Sequence, residues 1–385
     1  MKVLILSCNT GGGHNAAGLA LMEEFRNQGI VCEFKDVLSF AANSSISRKA
    51  SSLYVNITTK LPLRLRLSYH PGAGSTSRRK SPVYSFNSRY AKALGAYIQE
   101  NHFDTVIMHH LFPAEAITYL QRHQLLQART YFVATDYTCI PFTEETEADY
   151  YIIPHRELQK EYLQAGVPYD KIVPLGIPLQ RPFSVKRDRT EARTALGLPT
   201  IGKMVLIMTG SMDYGYLGKI SSTLYHEYGD RLNLVLLCGS SESVKENLGK
   251  RFRNNHNVIL VGATDQVSLY MDAADLIISK PGGLIATEAA AKKLPMILTD
   301  PIPGCEAKNA SFFKRHKMAL VPDSEKEYLP SLRRILDESD LRESLQEGQK
   351  LAVNPLAAAS ICGFIMAQDP RSGSPVTVKL SKKKR

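Results

Sequence analysis

The stretch SKPGGLIATEA, residues 279–289, follows an apolar run that begins at Leu276 and leads into a series of small residues. An apolar strand that turns through Pro-Gly-Gly into a helix is typical of parallel α/β sheets, in which the start of the helix binds phosphate groups. Glu288 lies about one turn into this helix, where its carboxylate could accept hydrogen bonds from a ribose diol. The alternative is that Glu288 is an ordinary solvated helix residue.

The same alternation of short apolar strands and helical segments occurs in both halves of the chain, which predicts two doubly wound α/β units facing across a cleft. Three prolines flank Gly176 and mark a linker at residues 173–178. We therefore expect a first Rossmann-like domain at 1–178, a second at 179–354, a helix at 355–370 that packs back toward the first domain, and a basic disordered tail at 371–385. The predicted strands are Val3–Ser7, Val31–Phe34, Thr105–Met108, Thr130–Ala134, Tyr150–Ile153, Val205–Met208, Leu234–Cys238, Val258–Val261, Leu276–Ser279 and Met296–Thr299.

A second glycine-rich motif, Gly11-Gly12-Gly13-His14, follows the first strand and precedes a helix predicted from about Asn15 to Gln28. Gly11, Gly13 and Ala16 fit a loose dinucleotide fingerprint, and Asp36 stands at the distance of a ribose-binding acid, so an NAD(P)-dependent oxidoreductase is one candidate. That hypothesis leaves His14 unexplained. The positive end of a helix favours a neutral imidazole, which is a competent general base, although His14 could also simply cap the helix.

Composition limits the remaining classes of function. No apolar run approaches the roughly 20 residues of a membrane-spanning helix, and the apolar run after Lys2 is too short for a signal segment. The six cysteines are scattered, which predicts a reduced, cytoplasmic protein without a disulfide framework or a structural zinc. The net charge is +11, and residues 37–99 hold ten basic and no acidic residues. Such a stretch favours an anionic membrane surface, because no nucleic-acid-binding motif accompanies it.

Six motifs in order give the chain a family resemblance: GGGH at 11–14, TDYTCIPF at 135–142, GIP at 176–178, TGSM at 209–212, SKPGGLIATEA at 279–289 and PIPGCEAKN at 301–309. Up to about Ala367, the chain resembles the monogalactosyldiacylglycerol synthase and processive diacylglycerol glucosyltransferase group of glycosyltransferase family 28. The stretch from Pro281 to Glu288 also looks like the donor motif of the transferase that adds GlcNAc to the lipid precursor of peptidoglycan. The resemblance implies the GT-B fold, with two Rossmann-like domains.

The resemblance also implies roles for individual residues. His14 corresponds to the proposed catalytic base and Glu288 to the residue that binds the donor ribose. The other implied donor-binding residues are Gly210, Ser211, Gly282, Gly283, Leu284, Thr287, Glu306 and Asn309, and the implied acceptor-side loop is Gly11, Gly12 and Gly13. Two departures affect the donor site: Cys305 stands where glutamine is usual, and Asp213 where glycine is common.

We therefore expect an inverting glycosyltransferase that moves a hexose from a UDP-sugar to diacylglycerol, without a metal or other cofactor. The expected location is the cytoplasmic face of the cell membrane, contacted by Arg64, Arg66, Arg78, Arg79 and Lys80. Three alternatives stay open: transfer to a polyprenyl-linked lipid, the oxidoreductase, and a catalytically silent lipid-binding protein.

Overall fold

Two parallel β-sheets organise the protein, one in each half of the chain. The computed structural model describes residues 1–8, 12–42, 80–208 and 214–369. The first sheet has six strands in the order β2-β1-β3-β4-β5-β6, and the second has five in the order β11-β10-β7-β8-β9. This architecture confirms the predicted α/β class with two doubly wound domains. The strands are β1 Lys2–Ser7, β2 Val31–Asp36, β3 Thr105–Met108, β4 Arg129–Val133, β5 Tyr150–Ile153, β6 Ile172–Pro174, β7 Lys203–Met208, β8 Leu232–Leu237, β9 Val258–Val261, β10 Leu276–Ser279 and β11 Met296–Leu298.

Helices cover both faces of each sheet, which is why the central strands are apolar along their whole length instead of alternating. The α-helices are α1 Gly12–Asn27, α2 Leu38–Ala42, α3 Pro82–Glu100, α4 Leu111–Arg122, α5 Gln159–Gln164, α6 Arg181–Ser184, α7 Arg189–Ala195, α8 Tyr214–Tyr228, α9 Glu242–Arg251, α10 Val267–Ala273, α11 Gly283–Ala291, α12 Cys305–Arg315, α13 Tyr328–Asp337, α14 Ser339–Ala352 and α15 Ala357–Ala367. Short 3-10 helices lie at Thr143–Glu145, Arg156–Leu158, Tyr169–Lys171, Gly229–Arg231 and Glu325–Glu327.

Two local predictions are wrong. The first helix begins at Gly12 and not near Asn15, so Gly13 and His14 belong to its first turn. The segment predicted as a linker from residue 173 also begins too early, because Ile172–Pro174 pairs with β5 as the sixth strand of the first sheet. An edge strand tolerates a proline on its unpaired side, and a three-residue strand is too short to show a pattern in the sequence.

The chain crosses between the domains twice, and the two crossings touch. Asn354, after α14, donates a hydrogen bond from Nδ2 to the Leu175 carbonyl oxygen over 3.0 Å. Gly176 has a φ of 107°, and a Cβ atom there would lie 2.9 Å from Cβ of Ala357. Glycine is needed at this position both for its backbone conformation and for the close approach of the second crossing.

The last helix, α15, packs on the first domain. Its buried residues Ile361, Cys362 and Ile365 share a core with Val3 and Phe25 of β1 and α1. The segment Ser339–Ala367 is long and apolar enough, by length and composition, to cross a membrane. In this structure α14 and α15 are separate helices with a break between them, and the apolar side of α15 is buried in the protein. A core helix passes the same test, so the segment is weak evidence for a membrane span.

Candidate active site

The candidate site lies where the strand order reverses in each sheet. In the first sheet the reversal separates β1, which precedes the start of α1, from β3, which precedes His109 and His110. In the second sheet it separates β7 from β10, and β10 leads through Pro281 into α11. Ligands of doubly wound sheets bind outside the carboxyl ends of the strands at such reversals. The topology therefore brings the motifs that begin at Gly11 and at Ser279 to the two binding edges.

His14 lies half-buried in the first turn of α1. Its Nδ1 atom is 3.0 Å from the hydroxyl oxygen of Thr135, and its ring meets that of His110 edge to face at 5.0 Å between centroids. Burial lowers the pKa of His14, and the negative charge of Asp136 acts in the opposite direction. The imidazole is therefore neutral at pH 7, as a general base requires. Burial is the main cause of the lowered pKa of His14, whereas the sequence suggested that the positive end of the helix would favour the neutral ring.

Two further histidines flank His14. His109 is fully buried, and within the described residues neither of its ring nitrogens has a hydrogen-bond partner of normal geometry. Burial, followed by the neighbouring His14, lowers the pKa of His109 to about 3. His110 accepts a hydrogen bond at Nδ1 from the Phe112 backbone N–H over 3.1 Å and so caps α4. Neither histidine is among the predicted site residues, although two consecutive histidines directly after a predicted strand were an available signal.

The first residues of α11 lie against the first domain. A Cβ atom on Gly283 would stand 1.9 Å from the Thr135 carbonyl oxygen, so only glycine permits this approach. On the neighbouring side, Cβ of Leu284 is 3.6 Å from the position that a Cβ atom on Gly13 would occupy. The N-termini of α1 and α11 therefore meet across the domain boundary. The first turn of a helix has backbone N–H groups without an intrahelical partner and the positive end of the helix dipole, which together attract anions.

Glu288 is a buried carboxyl group on the second turn of α11. Only 9% of the residue is exposed, and within the described residues its side chain has no hydrogen-bond or ion-pair partner. Burial raises the pKa of Glu288 to about 8. An unpaired buried carboxyl destabilises the folded state unless a ligand supplies donors, and the paired hydroxyl groups of a ribose would do so. The structure therefore does not place Glu288 on a solvated helix face.

The TDYTC segment of the first domain, residues 135–139, holds the two domains together. No role was predicted for it from the sequence. Asn309 of α12 is fully buried and donates from Nδ2 to Asp136 Oδ1 over 2.8 Å and to the Pro281 carbonyl over 3.1 Å. Its Oδ1 accepts the Tyr137 backbone N–H over 2.7 Å, and the Tyr137 ring stacks on Phe312 at 4.4 Å. The amide of Asn309 thus serves the domain contact, and its contact with a sugar stays a prediction.

Thr287 also faces this contact. Its hydroxyl donates to the Gly283 carbonyl oxygen over 2.5 Å and lies 2.9 Å from the hydroxyl oxygen of Tyr137. Because the Thr287 proton is used within the helix, Tyr137 is the donor between the two hydroxyl groups. Burial raises the pKa of Tyr137, so it keeps that proton. The structure places Thr287 under the start of α11, and its contact with the donor stays a prediction.

Glu306 lies in the first turn of α12, after a turn in which Gly304 has a φ of 122°. Its Oε2 accepts the Ile302 backbone N–H over 2.8 Å. Burial raises the pKa of Glu306, and the positive charge of Lys280 opposes that shift. The carboxylate and this lysine therefore stand on the same side of the second domain as the start of α11, where the sugar of a bound donor is expected.

Several predicted residues cannot be placed. Gly11, Gly210, Ser211 and Asp213 lie outside the described residues, as do the membrane-facing candidates Arg64, Arg66, Arg78 and Arg79. Lys80, the fifth membrane-facing candidate, lies within the described residues. It is exposed, and its Nζ is 4.8 Å from the ring centre of Tyr84. Asp36, the residue that the oxidoreductase hypothesis requires for ribose, accepts the Leu38 backbone N–H over 2.9 Å.

Comparisons with known proteins agree with this geometry. The family model described as monogalactosyldiacylglycerol (MGDG) synthase matches residues 14–179, and that of glycosyl transferases group 1 matches residues 224–351. The processive diacylglycerol beta-glucosyltransferase of Bacillus cereus (strain B4264) is 27% identical over 384 residues, which cover 98% of this chain and 96% of that protein. The first of these matches begins at His14, the last residue of the GGGH motif.

Solved structures support the fold independently. MurG of Acinetobacter baumannii has a TM-score of 0.62 and 16% identity over 95% of this chain and 99% of its own. The glycotransferase of kitacinnamycin has a TM-score of 0.64 and 13% identity over 96% and 99% of the two chains. The chain is therefore similar to monogalactosyldiacylglycerol synthases and processive diacylglycerol glucosyltransferases, and it has the GT-B fold.

Proposed function

We propose that the protein is an inverting glycosyltransferase that moves a hexose from a UDP-sugar to the free hydroxyl group of diacylglycerol. The observation that carries this proposal is the buried carboxyl of Glu288, which has no partner within the described residues and lies on the helix whose N-terminus meets that of the helix bearing His14. A nucleotide-binding group in one domain and a neutral imidazole in the other are what group transfer across a cleft requires. The relatives named above support the choice of donor and acceptor.

In this proposal the second domain binds the donor. The backbone at Gly282 and Gly283 receives the diphosphate at the start of α11, and Glu288 accepts hydrogen bonds from the ribose hydroxyl groups. Glu306 has one carboxylate oxygen held by the Ile302 N–H, which leaves the other to accept from a sugar hydroxyl. The donor site uses backbone dipoles and requires no metal ion. When the bond from the anomeric carbon to UDP breaks, these dipoles stabilise the charge that develops on the leaving diphosphate.

The first domain supplies the base. For His14 to act as the base, its Nδ1–H donates to the Thr135 hydroxyl oxygen 3.0 Å away, which fixes the ring and leaves the Nε2 lone pair to receive a proton. His14 removes the proton from the acceptor hydroxyl while its oxygen attacks the anomeric carbon from the face opposite UDP. The new carbon–oxygen bond forms as the bond to UDP breaks, so the configuration at the anomeric carbon inverts.

The acceptor is a membrane lipid, so the enzyme works at a membrane surface. The basic stretch within residues 37–99 would attract anionic headgroups, each nearby cation contributing about 1 kcal/mol. We propose peripheral attachment to the cytoplasmic face through this stretch. Phospholipid vesicles with and without anionic lipid test it: binding that is independent of anionic lipid and of salt would contradict the electrostatic attachment.

Product analysis tests the activity directly. The purified protein is incubated with vesicles that contain diacylglycerol or a polyprenyl-linked acceptor and with a panel of UDP-sugars, and the lipids are identified by mass spectrometry. We expect a hexosyl-diacylglycerol. His14→Ala should lower kcat by about 10²–10⁴-fold with little change in the KM of the UDP-sugar. His123→Ala, an exposed histidine of the same domain, is the matched control. Full activity in a folded His14→Ala variant would remove His14 from the mechanism.

A further inference from the structure

Three potential metal ligands meet at the domain boundary, at the far end of α12 from Glu306. His155 follows β5, Glu157 lies in the 3-10 helix that comes next, and His316 directly follows α12. One potential ligand atom from each side chain lies within 4.8 Å of the other two. Two of these residues therefore belong to the first domain and one to the second, and the proposed transfer reaction uses none of them.

The geometry defines which atoms would face an ion. Nδ1 of His155 accepts the Glu157 backbone N–H over 3.2 Å, so Nε2 is the nitrogen of His155 left for an ion. Nε2 of His316 lies 2.5 Å from Oε2 of Glu157. Around a tetrahedral ion, ligand atoms that lie about 2.1 Å from the metal stand roughly 3.4 Å from one another. The ligand atoms here are up to 4.8 Å apart, so side-chain movements of about 1 Å would complete the site.

Neighbouring groups fix the orientation of these ligands. Arg315 donates to Oε1 of Glu157 over 2.5 Å, so the second carboxylate oxygen is already hydrogen-bonded. The ring of Phe312 lies 4.2 Å from that of His316 and 5.3 Å from that of His155. A hydrogen-bonded carboxylate and packed imidazoles are the usual surroundings of metal ligands, because they hold the ligand atoms in place before the ion binds.

We propose that His155, Glu157 and His316 bind a divalent ion of the zinc class and thereby join the two domains. Two imidazoles and one carboxylate suit zinc better than magnesium or calcium, which prefer oxygen ligands alone. The ion takes no part in sugar transfer. Its site contains no cysteine, and its ligands come from both domains, so spacing in the sequence does not reveal it.

The competing explanation is that Glu157 forms only an ion pair with Arg315 and His316. Substitution of a histidine by glutamine distinguishes the ion pair from the zinc site, because a glutamine amide can donate to Glu157 but is a poor zinc ligand. The test uses the full-length protein without an affinity tag, titrated with ZnCl2 in excess Mg²⁺ by isothermal titration calorimetry. Tm is measured with zinc and with EDTA. The variants are His155→Gln and His316→Gln, and the matched control is His226→Gln, an exposed histidine of the second domain.

We expect saturable zinc binding in the wild type and the control, and a loss of at least tenfold in affinity for that site in each of the two variants. Zinc should raise Tm of the wild type and the control only, while all four proteins have similar Tm in EDTA. No saturable zinc binding in the wild type, or binding that both variants retain, would overturn the proposal. The measurements involve no transfer activity, so they stand whether or not the proposed function is correct.

Discussion

Glu288 should release a proton when the donor binds. With a pKa of about 8, the carboxyl group is about nine-tenths protonated in the free protein at pH 7. Ribose hydroxyl groups that donate to the carboxylate favour its charged form, so binding should release about 0.9 proton at this pH. The affinity for a UDP-sugar should accordingly rise about ninefold from pH 6 to pH 7 and about fivefold from pH 7 to pH 8.

Calorimetric titration with UDP-glucose, in two buffers that differ in ionisation enthalpy, measures both quantities. The diphosphate of this ligand is esterified at both ends and contributes no proton near pH 7. Glu288→Gln should bind more weakly and lose both the proton release and the pH trend. Glu306→Gln tests another carboxyl group of the second domain whose pKa burial raises, and it should keep both effects. A wild-type protein that binds with pH-independent affinity and releases no proton would refute the reasoning.

The same pKa has a consequence for the stability of the free protein. Because the folded-state pKa lies above the ordinary value of 4.5, the native state binds more protons than the unfolded chain between pH 4.5 and 8. The free energy of unfolding therefore decreases as the pH rises through this window. Glu288→Gln should remove the penalty and stabilise the free protein at pH 7 by up to about 3 kcal/mol.

Three further predictions concern the packing around the site. Gly283→Ala would put a Cβ atom 1.9 Å from the Thr135 carbonyl oxygen and so push the two domains apart. We expect transfer activity to fall more than tenfold and the radius of gyration in small-angle scattering to increase. Wild-type activity in this variant would contradict the expectation. Lys292→Met would remove the buried ion-pair partner of Asp272, which lies 2.7 Å away. The free energy of unfolding measured in urea should fall by about 3–5 kcal/mol. A decrease of less than about 1 kcal/mol would oppose that expectation. His109 has a folded pKa of about 3, below the unfolded 6.5, so it should lower the free energy of unfolding by about 1.4 kcal/mol per unit as pH falls below 6.5. His109→Leu should flatten that decline between pH 6 and 4, and an unchanged slope would count against the assignment.

The sheets could be predicted from the sequence because strands buried on both faces leave continuous apolar runs. The edge strand β6 could not, because three residues ending in Pro174 carry too little pattern. The start of α1 was also misplaced. Glycine has a low helix propensity, so Gly12 and Gly13 indicate a loop by composition, whereas the structure uses them in the first turn.

The candidate site could be predicted only in part, for a physical reason. Glu288 and His14 stand in short motifs whose residue types indicate their chemistry. Their surroundings depend on the packing of one domain on the other, which no local pattern describes. For Asn309 the resemblance implies contact with the donor, and the structure adds hydrogen bonds between its amide group and the Asp136 side chain, the Tyr137 N–H and the Pro281 carbonyl oxygen. His109 gave no signal of its burial beyond its position after β3.

The contact between the two chain crossings has a consequence for how the cleft opens. Two covalent connections that touch at Gly176 and Asn354 act as a hinge, because they prevent the domains from sliding or separating at that point. Relative motion is then a rotation about a line through this contact. The hydrogen bonds of Asn309 to Asp136 and Tyr137 also join the two domains, so such a rotation has to break them. Opening of the cleft should therefore depend on residues at these two contacts as well as on those that bind the substrate.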